Sequence, residues 1–363
     1  MTVSRELAEF ATGYGAGSFA VGRNRIINGD MRIDQRNAGA SVNATSSPSY
    51  CLDRYRIFGT GATSRFSVQQ NAGSVTPPVG FTNYLGATSL TSYSVATSDN
   101  YMITQFIEGN NVADLAWGTA NAATVTLSFW VRSSLTGTFG GSLQNSALNR
   151  SYPFSYAISA ANTWEYKTVV VPGDTTGTWL TDTGRGITIR FSLGAGATLS
   201  GTAGTWAGAD YRSATGATSV VGTNGATFYI TGVQLEAGSV ATSFERRMYG
   251  QELALCQRYY ESSAFPSATF SQGSTTALPV FVTNTDRAPG VKFTCVKRAA
   301  PTVVIYSRNN NSGKVSFVFS GGDNAGSASA ISISETGWSN TKIGTATTAG
   351  IGVEIAYTAS AEL

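Results

Sequence analysis

One side chain that is often used in acid–base and nucleophilic catalysis is missing here, because the 363 residues include no histidine. A Ser-His-Asp or Cys-His set therefore cannot be built from this chain, and histidine metal ligands and general bases are excluded. Carboxylate chemistry of the glycosidase kind is still open. Asp174 and Asp182, which flank Trp179, are the pair that could act as acid and base. The alternative is that both lie in solvated turns, where Asp is common, and we expect no catalytic residue and no enzyme.

The cysteines point to packing rather than chemistry. The chain has three, Cys51, Cys256 and Cys295, which are odd in number and far apart. A disulfide framework or a zinc site requires paired cysteines at regular spacing. We therefore expect buried thiols and no cofactor.

Charge is scarce, since 12% of the residues are charged and the formal net charge is +3. The basic residues are scattered, so we expect no nucleic acid binding through phosphate neutralisation. No apolar run reaches the roughly 18 residues of a membrane span. The amino terminus lacks the basic-then-apolar order of a signal peptide. These features predict a chain with no membrane insertion that matures in a cytoplasm.

The pattern of apolar and turn residues divides the chain into four parts. Residues 1–22 combine a short helix with a glycine-rich strap that cannot be stable alone. Residues 23–247 show the period-two alternation of half-buried strands, which predicts a mainly β, antiparallel jelly-roll sandwich. Residues 248–264 are predicted to form a short linking helix. Residues 265–363 are predicted to form a second, smaller β-sandwich.

Two apolar stripes are predicted to bind other chains. Leu7 and Phe10 lie on one side of the amino-terminal helix, which is either a docking peptide or a frayed terminus. Leu253, Cys256 and Tyr260 form a stripe on the linking helix, and neighbouring apolar residues widen it. A helix that is apolar over so broad an arc should be buried by more than its own domain, so we expect this stripe to be an oligomer interface.

Six segments, in order along residues 24–363, resemble a tail-fibre and prophage structural family of tailed bacteriophages. The first two match the family's usual INGDF…NQR strand and Y..DRW motif, with Met31 in place of Phe and Tyr55 in place of Trp. The segments are 24–36 (NRIINGDMRIDQR), 50–55 (YCLDRY), 228–247 (FYITGVQLEAGSVATSFERR), 249–261 (YGQELALCQRYYE), 298–307 (RAAPTVVIYS) and 357–363 (YTASAEL).

The resemblance implies a carbohydrate-binding-module-like jelly roll, a linking helix and a carboxy-terminal β tip, assembled as a homotrimeric fibre of the virion. In similar modules the corner between the first and last strands can hold a structural calcium. Asp30 and Glu236 are the carboxylates that could bind it here. The alternative, which we favour, is that each carboxylate pairs with an arginine such as Arg32, Arg54 or Arg246.

Glycan binding would require exposed aromatic rings, because sugars stack their apolar faces on Trp and Tyr and form hydrogen bonds through their hydroxyls. We prefer the cluster of Trp206, Asp210 and Tyr211, which lies in a long loop with little other apolar content. Trp130 and Trp164 lie inside strand patterns and are expected in the core. For each loop residue, a structural or inter-subunit role is the alternative. The further glycan candidates, near glycine-rich or polar turns, are Trp117, Trp179 and Trp338.

Three functions are compatible with these features. The leading hypothesis is a homotrimeric virion fibre, or tail fibre, whose amino terminus binds a phage tail, baseplate or head protein. Its body would bind a host-surface glycan or envelope receptor. The second is a head fibre or capsid-decorating protein of the same architecture. The third is a secreted carbohydrate-active enzyme with a binding module, for which the signal peptide and a convincing acid–base pair are missing.

Overall fold

Residues 23–247 form fourteen strands, as their alternation of apolar and polar residues predicts. They were located in a computed structural model, which describes residues 22–267, 270, 278–281, 287–318, 322–324, 326–344 and 352–363. Leu7 and Phe10, the predicted virion contacts, lie outside the described residues. The strands are β1 (Val42–Asn43), β2 (Ser49–Leu52), β3 (Tyr55–Gly59), β4 (Phe66–Gln70), β5 (Leu85–Ser89), β6 (Asn100–Glu108), β7 (Val125–Ser133), β8 (Gly137–Gln144), β9 (Ser151–Ile158), β10 (Glu165–Val171), β11 (Arg185–Ala195), β12 (Ser200–Gly201), β13 (Ser213–Ala214) and β14 (Thr227–Ala237).

Two six-stranded antiparallel sheets make up the sandwich. The first sheet has the order β1-β4-β5-β14-β7-β10, and the second has the order β2-β3-β6-β11-β8-β9. In β7, Val125, Leu127, Phe129 and Val131 are fully buried, because alternate side chains of a strand point to the same face. The inward faces of both sheets contribute to one continuous hydrophobic core. The predicted antiparallel jelly-roll sandwich is therefore confirmed.

Helical structure is limited in the described part of the chain. Its one α-helix, α1 (Tyr249–Gln257), is nine residues long and shorter than the predicted linking helix. No helix among the described residues combines the length and apolar character needed to cross a membrane. Four 3-10 turns occur at Ala72–Ser74, Gly109–Asn111, Ala113–Leu115 and Ala197–Leu199.

The apolar stripe predicted on the linking helix is covered by this chain itself. Cys256 is fully buried in a cluster with Ile27 and Ile33 from the start of the jelly roll, and Leu253 packs against the same cluster. Tyr260 lies beyond the helix, in a strand, and is 8% exposed. Intrachain contacts thus bury Cys256 and Tyr260 and half-bury Leu253, so the expectation that these side chains need a partner chain to cover them is wrong.

The carboxy-terminal part contains two further sheets, and it begins at Tyr260 rather than at residue 265. The strands are β15 (Tyr260–Ser262), β16 (Leu278–Phe281), β17 (Arg287–Pro289), β18 (Thr302–Tyr306), β19 (Ser316–Phe317), β20 (Ala328–Ser334), β21 (Gly337–Ile343) and β22 (Gly352–Ser360). Strand β22 pairs with β15, β16, β18 and β19, while β17, β21 and β20 form a three-stranded sheet. Trp338 and Tyr357, one from each sheet, pack edge to face with their ring centroids 5.0 Å apart. The sheets enclose a second, smaller core.

A buried ionic network joins the jelly roll to the carboxy-terminal residues. Arg54 is 1% exposed, and its guanidinium contacts the Glu362 carboxylate and donates a hydrogen bond to the Phe106 carbonyl. Glu362 also pairs with Arg36 at 2.8 Å. The ring centroid of Tyr259 lies 3.5 Å from the guanidinium carbon of Arg54. Charge-assisted hydrogen bonds therefore hold the last residues against the first strands.

A second set of polar contacts ties α1 and β15 to the same region. The backbone and side-chain amides of Gln35 donate to Asp53 at 2.6 and 2.7 Å, and the Gln35 side chain also donates to the Tyr260 carbonyl at 2.8 Å. Burial raises the pKa of Asp53 to about 7. The backbone N–H of Asn28 donates to Glu252 in α1. Four of the six segments that carry the resemblance, namely 24–36, 50–55, 249–261 and 357–363, thus meet inside the fold.

Candidate functional site

The outer face of the first sheet carries two accessible aromatic rings side by side. Trp130 on β7 and Tyr166 on β10 lie directly opposite each other in the strand pairing, with ring centroids 5.4 Å apart and planes inclined at 50°. Tyr166 is 43% exposed, and Trp130 is half-buried. Both point outward because Phe129 and Val131, the neighbours of Trp130 in β7, point into the core. The pair therefore forms an aromatic floor that solvent can reach.

Phe81, Phe244 and Arg246 form a wall beside this floor. The two phenylalanine rings pack edge to face, with centroids 5.2 Å apart. The guanidinium carbon of Arg246 lies 4.7 Å from the centroid of Phe81 and 5.7 Å from that of Phe244. Within the described part of the chain, Arg246 makes no salt bridge, so its N–H donors are available to a ligand.

A bulge in β14 shapes the space between floor and wall. The register between β14 and β7 shifts between Thr231 and Gln234, and Gly232 within the bulge has a φ of +61°. A Cβ atom at Gly232 would lie 2.7 Å from the Phe81 ring and 3.2 Å from the Trp130 ring. Both the backbone conformation and the close approach of the rings therefore favour glycine here.

These residues enclose what we call the aromatic groove. Its volume is about 600 Å³, and the hydroxyls of Ser128, Thr242 and Ser243 lie along it. Ligand sites commonly measure about 300–1,000 Å³. The aromatic floor suits the apolar face of a sugar ring, and the hydroxyls and guanidinium suit its hydroxyl groups. The groove is lined by Phe81, Ser128, Trp130, Tyr166, Gly232, Ala241, Thr242, Ser243, Phe244 and Arg246.

Three of the predicted glycan contacts instead form a compact tryptophan cluster. The ring centroids of Trp117, Trp179 and Trp206 lie 4.7 to 5.5 Å apart, and each pair packs edge to face. Each indole N–H donates to a backbone carbonyl, at 2.7 Å for Trp117, 3.2 Å for Trp179 and 2.8 Å for Trp206. Trp117 is 7% exposed and belongs to the jelly-roll core. Contrary to the prediction, it has no ring face for a ligand, because the other two rings cover it.

The structure separates the remaining predicted glycan contacts. Asp210 pairs with Arg212 at 2.6 Å and accepts a hydrogen bond from Gln144 at 2.7 Å. Tyr211 is half-buried, and its carbonyl accepts a second hydrogen bond from Gln144 at 3.0 Å. Trp338 is 4% exposed in the core of the carboxy-terminal part. Trp338 cannot stack on a ligand, because it is enclosed between two sheets.

The two aspartates considered as an acid–base pair have different surroundings. Asp174 is 1% exposed and forms two hydrogen bonds with Arg150, at 2.7 and 2.8 Å. Burial opposes its ionisation, but the bonds to Arg150 and Thr176 outweigh burial and lower the pKa of Asp174. Asp182 is exposed and accepts a hydrogen bond from the Gly184 N–H at 2.7 Å. The expectation of a solvated turn is therefore wrong for Asp174, which is held as an ionised partner of an arginine.

The carboxylates suggested for calcium each contact an arginine. Asp30 lies 2.5 Å from Arg32, as one of the predicted pairings has it, and burial raises the pKa of Asp30. Glu236 lies 3.2 Å from Arg23, which was not among the predicted partners, and accepts a hydrogen bond from the Thr242 hydroxyl at 2.6 Å. No group of three or more acidic or sulfur side chains suited to a metal ion was found in the described ranges.

The three cysteines carry free thiols. Cys51 and Cys256 are buried, and burial raises the pKa of both thiols. Cys295 is only half-buried, so the expectation of a buried thiol is wrong at that position. Its thiol lies 3.8 Å from the side-chain oxygen of Gln257 at the end of α1.

The floor of the aromatic groove was missed because a tryptophan inside a strand pattern was taken to be a core residue. The signal that identifies it is the parity of the strand. In β7 the odd positions from Val125 to Val131 are all apolar, whereas Trp130 shares the even positions with Thr126 and Ser128. In β10, Tyr166 shares the even positions with Thr168 and Val170, and all three are exposed, so this face of the strand points outward.

Comparison with known proteins finds similarity in solved structures alone. No protein-family model and no curated protein sequence matches the chain. The structure is similar to the enzymatically active domain of tailspike protein 4 of bacteriophage CBA120, at 13% identity and a TM-score of 0.32, over 60% of this chain and 22% of that one. It is similar to a CBM4 carbohydrate-binding module, at 14% identity and a TM-score of 0.29, over 58% of this chain and 98% of that one.

A third similar structure is the family 11 carbohydrate-binding module of Clostridium thermocellum in complex with a mixed-linked tetrasaccharide. It shows 9% identity and a TM-score of 0.25, over 53% of this chain and 91% of that one. The match covers 22% of the tailspike structure's own length, whereas it covers nearly all of the two binding modules.

Proposed function

We propose that this chain is a bacteriophage virion fibre protein that binds a host-surface glycan through its aromatic groove and has no catalytic activity. The observation that carries the binding role is the Trp130–Tyr166 pair, two rings left open to solvent beside hydroxyl and guanidinium donors. The exposure of these rings within a groove indicates a ligand with apolar ring faces and many hydroxyl groups.

The virion role is supported by the six phage-like segments and by the composition. Arg54, Asp53 and Asn28, from the first two segments, are buried at the junction of the jelly roll, α1 and the carboxy-terminal residues. The segments therefore specify how the parts of the chain are joined. A surface low in charge and rich in Ser, Thr, Asn and Gly suits neutral hydrogen bonding to a host receptor.

Assembly as a homotrimer is proposed from the resemblance, with the amino-terminal segment attaching to a tail, baseplate or head protein. Large apolar side chains that this chain leaves exposed are suited to contacts between copies. Met248 and Tyr249, at the start of α1, are 77% and 46% exposed, and Val296 is 58% exposed. Closed symmetry would cover them. Native mass spectrometry should find three times the chain mass of 37.9 kDa, and a monomer at physiological concentration would contradict this part of the proposal.

The glycan role is tested by binding to an array of neutral oligosaccharides, followed by calorimetry with the strongest ligand. Trp130→Ala and Tyr166→Ala should each weaken binding about tenfold, because each removes one stacking surface worth about 1–2 kcal/mol. Leu90→Ala is the matched control, since Leu90 is 40% exposed, close to the 43% of Tyr166, and lies outside both the groove lining and the proposed contacts between copies. Equal affinity of all four proteins, or no binding of the wild type, would contradict a glycan role for the groove.

Attachment and catalysis are tested separately. A chain that lacks residues 1–22 should fold, because both described cores are built from residues between Ile26 and Ala359, but it should no longer join the virion. Immunogold labelling of intact particles distinguishes a tail fibre from a head fibre or capsid-decorating protein. The purified protein should release no reducing ends from bound glycans. Release that is lost in Asp182→Asn would show that the chain is an enzyme.

A further inference from the structure

The outer face of the second sheet carries several arginines. Arg56 on β3 and Arg190 on β11 flank Thr104 of β6 in the strand pairing, so their backbones are two strand spacings, or about 10 Å, apart. Arg56 and Arg185 both place their guanidinium carbons over the ring of Phe106, at 5.3 and 4.9 Å from its centroid. We call this surface, with Arg212 from the loop between β12 and β13, the arginine face.

Positive charge on the arginine face exceeds the negative charge that the chain supplies. The carboxylate that acts on Arg185 and Arg190 is that of Asp210, which already pairs with Arg212 at 2.6 Å. The guanidinium of Arg56 makes no hydrogen bond and no salt bridge within the described ranges. Burial, and after it the neighbouring guanidiniums, lower the pKa of Arg185 and Arg190. Four guanidiniums therefore share one carboxylate, and an added anion would relieve their repulsion.

Buried hydroxyl groups without partners lie among these arginines. The hydroxyl oxygens of Tyr50, Ser142 and Thr188 are all buried and make no hydrogen bond in the described part of the protein. Tyr50 lies opposite Arg56 in the pairing of β2 with β3, and Ser142 lies opposite Arg190 in the pairing of β8 with β11. Buried polar groups in proteins are nearly always paired, so these hydroxyls indicate a polar ligand.

We propose that the arginine face binds the anionic group of an acidic saccharide, either a carboxylate or a phosphate. Guanidinium forks bind both groups through paired, charge-assisted hydrogen bonds. The hydroxyls of Tyr50, Ser142 and Thr188 add donors and acceptors that suit a polyhydroxylated ligand. This site lies on the opposite sheet from the aromatic groove, and its existence does not depend on glycan binding there.

The test measures binding of three oligosaccharides of similar length by calorimetry: an oligogalacturonate, a phosphorylated oligomannose and a neutral oligogalactose. At least one charged oligomer should bind, and Arg56→Gln and Arg185→Gln should each weaken that binding about tenfold, as expected for the loss of one charge-assisted contact. Arg65→Gln is the matched control, because Arg65 also lies over an aromatic ring, that of Tyr93 at 4.1 Å, but outside the arginine face.

The outcomes separate the two anionic groups and the two proposed sites. Binding of oligogalacturonate alone assigns a carboxylate, and binding of the phosphorylated oligomer alone assigns a phosphate. Raising the ionic strength from about 0.05 to about 0.5 M should weaken either interaction. Tyr166→Ala should leave both unchanged. Equal binding of the neutral oligomer by the Tyr166→Ala variant, equal binding of polyglutamate, or binding that both Arg→Gln variants retain would overturn the proposal.

Discussion

Two groups of aromatic residues in the jelly roll are packed differently from what their positions in the sequence suggest. Trp117, Trp179 and Trp206 lie in loops between strands, yet they pack on one another and bond all three indole N–H groups to the backbone. Trp130 and Tyr166 lie within strands, yet they face solvent. Whether an aromatic ring is exposed therefore depends on which face of its element it occupies and on what covers that face, more than on whether it is in a loop.

The tryptophan cluster closes an open end of the sandwich. Loops that cross the end of two sheets leave apolar side chains uncovered, and three large rings provide the area needed to cover them. The backbone N–H of Gly118 donates to the Asp174 carbonyl at 2.7 Å, and the guanidinium of Arg150 lies 5.9 Å from the Trp206 ring centroid. Tyr166, on the outer face of the edge strand β10, stays 43% exposed.

The largest effect on stability should come from the tryptophan cluster. Trp117→Ala would remove a ring that is 7% exposed and leave a cavity between Trp179 and Trp206. We expect the free energy of unfolding to fall by about 3–5 kcal/mol. Denaturant unfolding followed by tryptophan fluorescence measures this loss. A loss below about 1 kcal/mol would mean that the cluster is not part of the jelly-roll core.

Much of the fold could be predicted from the sequence, and the site could not. Strand alternation identifies the antiparallel jelly roll, because the period-two pattern of β7 and β11 depends on which face of the strand is buried and not on the details of packing. The end of α1 was placed too late, because Tyr260 pairs with Ser360, a contact between residues distant in sequence. The aromatic groove also depends on such contacts. Phe81, Trp130 and Phe244 come from three separate segments, and the sequence pattern does not give their meeting point.

The apolar stripe of α1 gives the next largest effect. Leu253 packs against Ile27 and Ile33 of the same chain, so Leu253→Asp would place a carboxylate in a cluster that the chain itself covers. We expect the free energy of unfolding to fall by about 3 kcal/mol. The native mass measured below the melting temperature should be unchanged. A change in mass with unaltered stability would restore the stripe as an interface between copies.

A smaller and pH-dependent effect is expected at Asp174. The pKa of Asp174 is lower in the folded chain than its ordinary value, so its bond to Arg150 stabilises the fold fully above about pH 4 and is lost as the pH falls through the folded-state pKa. At neutral pH, Asp174→Asn should lower the free energy of unfolding by about 2 kcal/mol. The difference from the wild type should shrink in acid. Asp182→Asn is the control, because Asp182 is exposed, and it should change stability little at any pH.

The smallest effect on stability should come from Trp130, and it completes the comparison with Trp117. Trp130 is half-buried and rests on Tyr166 at the surface of the first sheet, so Trp130→Ala opens no enclosed cavity. We expect the free energy of unfolding to fall by about 1 kcal/mol or less, which is the value of one exposed aromatic pair. Both variants should be measured in the same denaturant titration. A larger loss of unfolding free energy in Trp117→Ala than in Trp130→Ala distinguishes a core ring from a surface ring. A loss of about 3 kcal/mol or more would place Trp130 in the core after all, and the aromatic groove would then be a packing feature rather than a binding site.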